Sequence, residues 1–325
     1  MNIFSSNIYL ESCLAPLAPF LARADLTDIY INRPGEVWLE TQGGYIERAE
    51  VQELNFNVLL RLARQIAATT DQGISREHPL LAASLPTGER VQIVIPPATR
   101  GNIAFAIRKH VASGLSLEDY SDEAGEPTGL LSKGTPESSS RVSTENFATS
   151  PIRLREAVRQ RRNILVSGGT SSGKTTFLNA LLREIPGDER LIFIEDTPEL
   201  QSHHENSVSL IANRGVMGEA AITAEDLLIA ALRMRPDRII LGEIRGSEAV
   251  TFLRAINTGH PGSLSTIHAD SPVRAIDQLA LLVLQTGIRM SWEDVVTYVR
   301  RSIDIIVQLK RGAGRRMIEA VYEVE

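Results

Sequence analysis

Hydrophobic positions along this chain follow one rhythm before residue 113 and another after residue 150. In the first stretch, short apolar runs alternate with polar residues and are cut by turn residues. Strands are predicted at Asp28–Asn32 and Val37–Glu40, with turns at Arg33-Pro34-Gly35 and Gln42-Gly43-Gly44, and a further strand from Tyr45-Ile46 onward. Residues 11–23 read as a short helix containing Pro16 and Pro19. Phe56, Leu59, Leu60, Leu62, Ala63, Ile66 and Ala67 recur at helical spacing and predict an amphipathic helix. Strands return at Val91–Ile95 and Ile103–Ile107. Residues 1–112 therefore predict a small α+β domain built on an antiparallel sheet.

After Pro151 the apolar runs are continuous rather than alternating. Strands are predicted near 163–167, 191–195, 208–211, 237–241 and 264–267, with helical stretches between them. Helical spacing follows at 272–285 and 291–301, and two closing strands, 303–309 and 317–324, are joined by Gly312-Ala313-Gly314. This alternation predicts an α/β domain over 151–325, with a mostly parallel sheet covered on both faces. Between the two domains, residues 113–150 gather Glu118, Asp119, Asp122, Glu123 and Glu126, then a stretch rich in Ser, Gly, Pro and Thr from Ser132 to Ser150. That composition predicts a flexible linker whose acidic cluster is solvated surface.

Composition narrows the function classes. The 325 residues suffice for two cores, and 43% hydrophobic with 23% charged residues is ordinary for a soluble globular protein. No apolar run reaches the roughly 18 residues of a membrane span. The start, MNIFSSNIYLESC, lacks the pattern of a signal peptide. A single cysteine, Cys13, excludes an internal disulfide and a cysteine-cluster zinc site. The net charge of −6 lies in residues 1–140, which carry 17 acidic and 11 basic side chains. No basic footprint of a dedicated nucleic-acid binder appears.

The chemistry centres on Asn163–Thr176, NILVSGGTSSGKTT. The apolar run Ile164-Leu165-Val166 turns through Gly168, Gly169, Thr170, Ser171, Ser172 and Gly173 into Lys174, Thr175 and Thr176. This is G-x-x-x-x-G-K-[ST] between a strand and a helix. Small residues let successive backbone N–H groups form a concave nest for phosphate oxygens, and the helix adds its positive end. Lys174 supplies a mobile charge for the outer phosphates, and the Thr175 hydroxyl can ligate the accompanying magnesium. Of 34 basic residues only Lys109, Lys133, Lys174 and Lys310 are lysines, yet one stands here.

Three further segments end predicted strands of the same sheet. Leu191–Leu200 carries Glu195, Asp196 and Glu199; a carboxylate there can orient an attacking water, although a solvated strand end is the commoner origin of such residues. Pro236–Gly246 places Glu243 where phosphate-loop enzymes hold the water shell of magnesium, with pairing to Arg245 as the alternative. Thr258–Asp270 carries His260 and His268; a hydrogen bond to the terminal phosphate is a more economical role for His268 than metal ligation.

Taken in order, 168–176, IEDTPEL at 194–200, RPDRIILGEIRG at 235–246 and TGHPGSLSTIHAD at 258–270 resemble the Walker A motif, Asp box, Walker B motif and His box of the secretion ATPase superfamily. Members of that superfamily power type II secretion, type IV pili and type IV secretion. The resemblance implies a RecA-like ATPase domain, ATP and Mg2+ as cofactors, and a homohexameric ring. It assigns the catalytic carboxylate to Glu199, the Walker B carboxylate to Glu243 and the His-box histidine to His268. Ile31-Asn-Arg-Pro-Gly-Glu-Val37 and Leu85-Pro-Thr-Gly-Glu-Arg90, with Phe105-Ala-Ile-Arg108, look like the small N-terminal domain of the type IV secretion branch. There an arginine reaches the nucleotide: Arg108 matches best, with Arg90, Arg100 and Arg141 as rivals. The missing tetracysteine module also favours the conjugation-type motor over type II secretion and pilus motors. The resemblance further implies peripheral attachment to the cytoplasmic face of the bacterial inner membrane, with inner-membrane secretion subunits and coupling ATPases as partners. Nucleic acid is not expected as a direct ligand. A RecA-like nucleic-acid motor and a purely structural ring are the other readings.

Overall fold

The computed structural model describes residues 5–42, 44–70, 72–109, 115–120, 151–212, 222–312 and 315–324. The chain divides into two compact units, one of Met1–Ser113, Glu195–Glu199 and Ser209–Leu227, the other of Gly114–Ile194, Leu200–Val208 and Leu228–Glu325.

The first unit opens with helices α1 (Ser5–Leu14) and α2 (Ala18–Leu21), separated by a 3-10 turn at Ala15–Leu17. Strands β1 (Leu26–Ile31), β2 (Glu36–Thr41) and β3 (Ile46–Glu50) lead to helix α3 (Phe56–Thr69), then to β4 (Leu80–Ser84), β5 (Arg90–Val94) and β6 (Ala104–Arg108). The six strands form one antiparallel sheet in the order β3-β2-β1-β6-β5-β4. A register shift between Leu26 and Asp28 inserts a bulge in β1. The extra residue returns Ile29 to the face of Leu26, which explains why both are buried despite their odd spacing. Helix α3 begins at Asn55, whose side chain accepts the Val58 N–H at 3.1 Å. It buries Leu59, Leu62, Ala63, Ile66 and Ala67 in the core made with Ile29, Ile31, Val91, Ile93, Phe105 and Ile107. Cys13 packs half-buried against that core.

The chain after residue 150 forms α4 (Pro151–Arg159), β7 (Ile164–Gly168), α5 (Lys174–Leu182), β8 (Leu191–Glu195), β9 (Ser207–Ile211), α6 (Ala224–Ala231) and β10 (Arg238–Leu241), most of it in the second unit, with the end of β8 and parts of β9 and α6 falling in the first. It continues with α7 (Glu248–Asn257), β11 (Leu264–Ile267), α8 (Pro272–Gln285), α9 (Trp292–Ser302), β12 (Ile305–Gly312) and β13 (Arg315–Glu323). Its seven-stranded sheet runs β13-β12-β7-β11-β10-β8-β9. The pairs β12–β7, β7–β11, β11–β10 and β10–β8 are parallel, and β13 closes one edge antiparallel. Every residue of β7, β8, β10 and β11 is buried, as strands covered on both faces require. The α/β architecture with a mostly parallel sheet is therefore the one expected.

Parallel order gathers the strand starts at one edge and their ends at the other. At the starting edge, the fully buried Arg238 forks onto Glu189 at 2.7 and 2.6 Å and also donates to the Val158 and Gly262 carbonyls. The ending edge carries Gly168, Glu243 and His268.

Part of the segment read as linker is packed. Leu117 and Tyr120 are buried in the core of the second unit, the Tyr120 ring meets Phe177 edge-on at 4.9 Å, and Arg155 bridges Glu118 and Glu184. Glu118 thus belongs to a folded contact rather than to free surface. Asp122, Glu123, Glu126 and the Ser-rich stretch lie outside the described residues, as does the join at 313–314.

Candidate nucleotide site

β7 ends at Gly168 and the chain turns through 169–173 into α5. Gly168 has no room for a side chain: a Cβ there would stand 2.4 Å from Ser172 Oγ and 3.0 Å from the Leu309 carbonyl. Gly173 holds a left-handed φ of 92° at the N-cap of α5, a conformation that a side chain strains. These two glycines are the fixed positions of the motif. Ser172 is buried, Gly169, Ser171, Thr175 and Thr176 are half-buried, and Thr170 is exposed.

Lys174, only 8% exposed, folds back over its own loop. Its Nζ donates to the Gly168 and Gly169 carbonyls at 2.9 and 3.1 Å and lies 3.2 Å from His268 Nδ1. His268 follows β11 and is 2.8 Å from Glu243 Oε1 through Nε2. Glu243 follows β10 and is also bonded to Arg245. Burial alone would raise the Glu243 pKa, but the hydrogen bonds and charges of His268 and Arg245 outweigh it and hold the carboxyl at about 2. The structure thus joins Lys174, His268 and Glu243 into one continuous polar chain. Arg245, the alternative partner for Glu243, is bound to it as well.

The donor set suits magnesium-bound phosphate. A half-buried carboxylate that stays ionised and a hydroxyl at a helix start, Glu243 and Thr175, would offer hard oxygens to that cation, and the cradle at Gly168 admits no side chain. His260 does not share this site. It precedes β11 and meets the Pro236 carbonyl at 3.0 Å, so the whole of β11 separates it from His268. Among the described residues no group of three or more His, Cys, Asp or Glu could hold a metal ion by itself.

The Asp-box turn is organised by its own residues. The buried Glu195 accepts the Glu199 N–H at 2.8 Å, which fixes the backbone of Glu199. Glu199 Oε1 lies 2.6 Å from Arg90 Nε within the first unit. Arg90 is thus the arginine that meets this carboxylate. Arg108 stands exposed at the end of β6, opposite Asp28 on one side and Arg90 on the other. Arg141 lies outside the described residues. Sequence reasoning missed Asn179, a buried amide in α5 that accepts the Gln201 N–H at 2.9 Å. Its trace in the sequence is a lone polar residue inside the apolar helix FLNALL.

The description "Type II/IV secretion system protein" matches residues 140–316. The type IV secretion system protein VirB11 of Bartonella henselae is 38% identical over 330 residues, covering 95% of this chain and 91% of its own. The chain belongs to the type II/IV secretion system ATPases. Within this family, PtlH of Bordetella pertussis is 41% identical over 324 residues, covering 95% of this chain and 94% of its own. Among solved structures, the VirB11 ATPase of the Brucella suis type IV secretion system, in complex with sulphate, is 37% identical with a TM-score of 0.50, covering 98% and 95% of the two chains. The pilus retraction motor PilT with bound ADP, 22% identical at a TM-score of 0.62, shares the fold, with 97% of this chain and 83% of its own covered. The resemblance read from the four motifs is borne out, and the chain is an ATP hydrolase of the type IV secretion kind.

Proposed function

We propose that this secretion ATPase works as a homohexamer on the cytoplasmic face of the inner membrane, hydrolysing Mg-ATP to drive pilus assembly and substrate passage. Inner-membrane secretion subunits and coupling ATPases are its partners. The observation that carries the site is the chain Lys174–His268–Glu243 at the end of the P-loop strand. Residues 168–176 wrap the phosphates, and Lys174 neutralises the charge that develops on the terminal one. Glu199 orients the attacking water, and His268 donates to the terminal phosphate. Thr175 and, through water, Glu243 would hold magnesium, which screens the phosphate charges when bound. Arg108 supplies a planar cation for the transferred group, and Arg90 fixes the rest position of Glu199. No described helix is long and apolar enough to cross a membrane, so attachment in this reading is peripheral.

The test is steady-state Mg-ATP hydrolysis across protein concentration, beside Lys174→Ala and Glu199→Gln. Turnover per subunit should rise to a plateau as rings assemble and fall about 100-fold or more in both variants, with ATP binding kept in Glu199→Gln. Wild-type turnover in Lys174→Ala would falsify the site.

A further inference from the structure

β12 is apolar from Ile305 to Leu309 with one interruption, Gln308, whose side chain is buried at 3% exposure. Gln308 pairs in register with Ser167 of β7, and Ser167 pairs with Ile267 of β11. β7 and β11 therefore end close to the level of Gln308, while β12 runs on to Gly312, and there the chain leaves β11 as His268 and Ala269. Gln308 Nε2 donates to the Ala269 carbonyl at 3.3 Å and also approaches the Leu309 carbonyl at 3.4 Å. Ser167 Oγ donates to the same Ala269 carbonyl at 3.3 Å. Gln308 Oε1 is buried without a partner among the described residues. An apolar side chain would fill this strand position without the cost of burying that oxygen. The His268 side chain, by contrast, is 47% exposed, and its ring contacts are Lys174 and Glu243, groups that also face the ligand. Its placement therefore depends on its backbone as well as on those two contacts.

We propose that Gln308 is a positioning residue for His268. With Ser167 it clamps the carbonyl of Ala269, the residue that follows His268, and so sets where the imidazole stands between Lys174 and Glu243. This rests on the reading of His268 as a participant in turnover.

Gln308→Leu and Ser167→Ala each remove one donor to the Ala269 carbonyl. Mg-ATP turnover of the full chain is measured for each, alone and combined with His268→Ala, with a thermal melt of every variant. In Gln308→Leu kcat should fall about tenfold with KM held within about twofold, and that loss should disappear in the His268→Ala background. An equal loss in both backgrounds overturns the proposal and leaves Gln308 a structural part only; unchanged kcat overturns it too. If His268→Ala alone keeps wild-type turnover, the reading of His268 fails and the proposal falls with it, whereas the first two failures leave that reading standing. Should Gln308→Leu not melt cooperatively, Ser167→Ala decides by the same cycle.

Discussion

Glu243 shows how a single residue carries both charge and stability. Its pKa is depressed to about 2 from an ordinary 4.5, because two cationic or hydrogen-bonding neighbours win over burial. A depressed carboxylate stabilises the fold above its ordinary value, and the contribution fades as pH falls toward the folded value. For the nucleotide-free protein, Glu243→Gln should therefore cost up to about 3 kcal/mol near neutral pH. The difference from wild type should shrink below pH 4.5 and vanish near 2. Urea midpoints across that range check it; a pH-independent difference would place the lost stability elsewhere. The fixed glycines, Lys174 and Glu243 were legible in the sequence because phosphate chemistry demands those residue types at that spacing. Arg90 was legible only as one rival among several arginines, since an ion pair between distant chain segments leaves no local signature. Gln308 and Asn179 did leave one, a polar residue inside an apolar run, but the pattern does not say which backbone group it serves.

Among the elements, those with strong periodicity were readable almost to the residue. The helical spacing from Phe56 predicted α3, and 272–285 coincides with α8. Helix α1 starts earlier than expected, at Ser5, and the weakly patterned SSNIYL gives no reason to begin there. Strand β4, Leu80–Ser84, was not foreseen: LLAAS lacks β-branched and aromatic residues, only Leu81 is fully buried, and the strand lies at a sheet edge. Residues 115–120 were hidden for a different reason. Their acidic composition resembles linker, and only the tertiary contact of Tyr120 with Phe177 reveals the anchor. The N-cap of α3 gives a test at this scale. Asn55→Ala should cost about 1 kcal/mol, and Asn55→Asp should retain most of the stability. Chemical denaturation followed by circular dichroism decides; equal midpoints for the wild type and Asn55→Ala would mean that the cap adds nothing to α3.

For the molecule as a whole, stability is best probed at the fully buried Arg238. Four contacts tie it to Glu189, to the end of α4 and to the approach to β11. Arg238→Met leaves the buried Glu189 with only the more exposed Arg161, 3.3 Å away, and should cost up to about 3–5 kcal/mol, whereas pairing it with Glu189→Leu should recover much of that loss. Equilibrium unfolding in urea separates the two outcomes, since a double variant no better than Arg238→Met would show that charge burial is not the cause. The same knot bears on how the ATPase does work. Its partners are all protein groups, Glu189 and the Val158 and Gly262 carbonyls. The Lys174 ammonium at the opposite edge holds two carbonyls and an imidazole, and in the proposed reading an incoming phosphate competes for it. On the proposed reading of the site, nucleotide binding exchanges partners at one rim of the sheet while Arg238 holds the other, so movement would begin in the phosphate loop and the His268 segment.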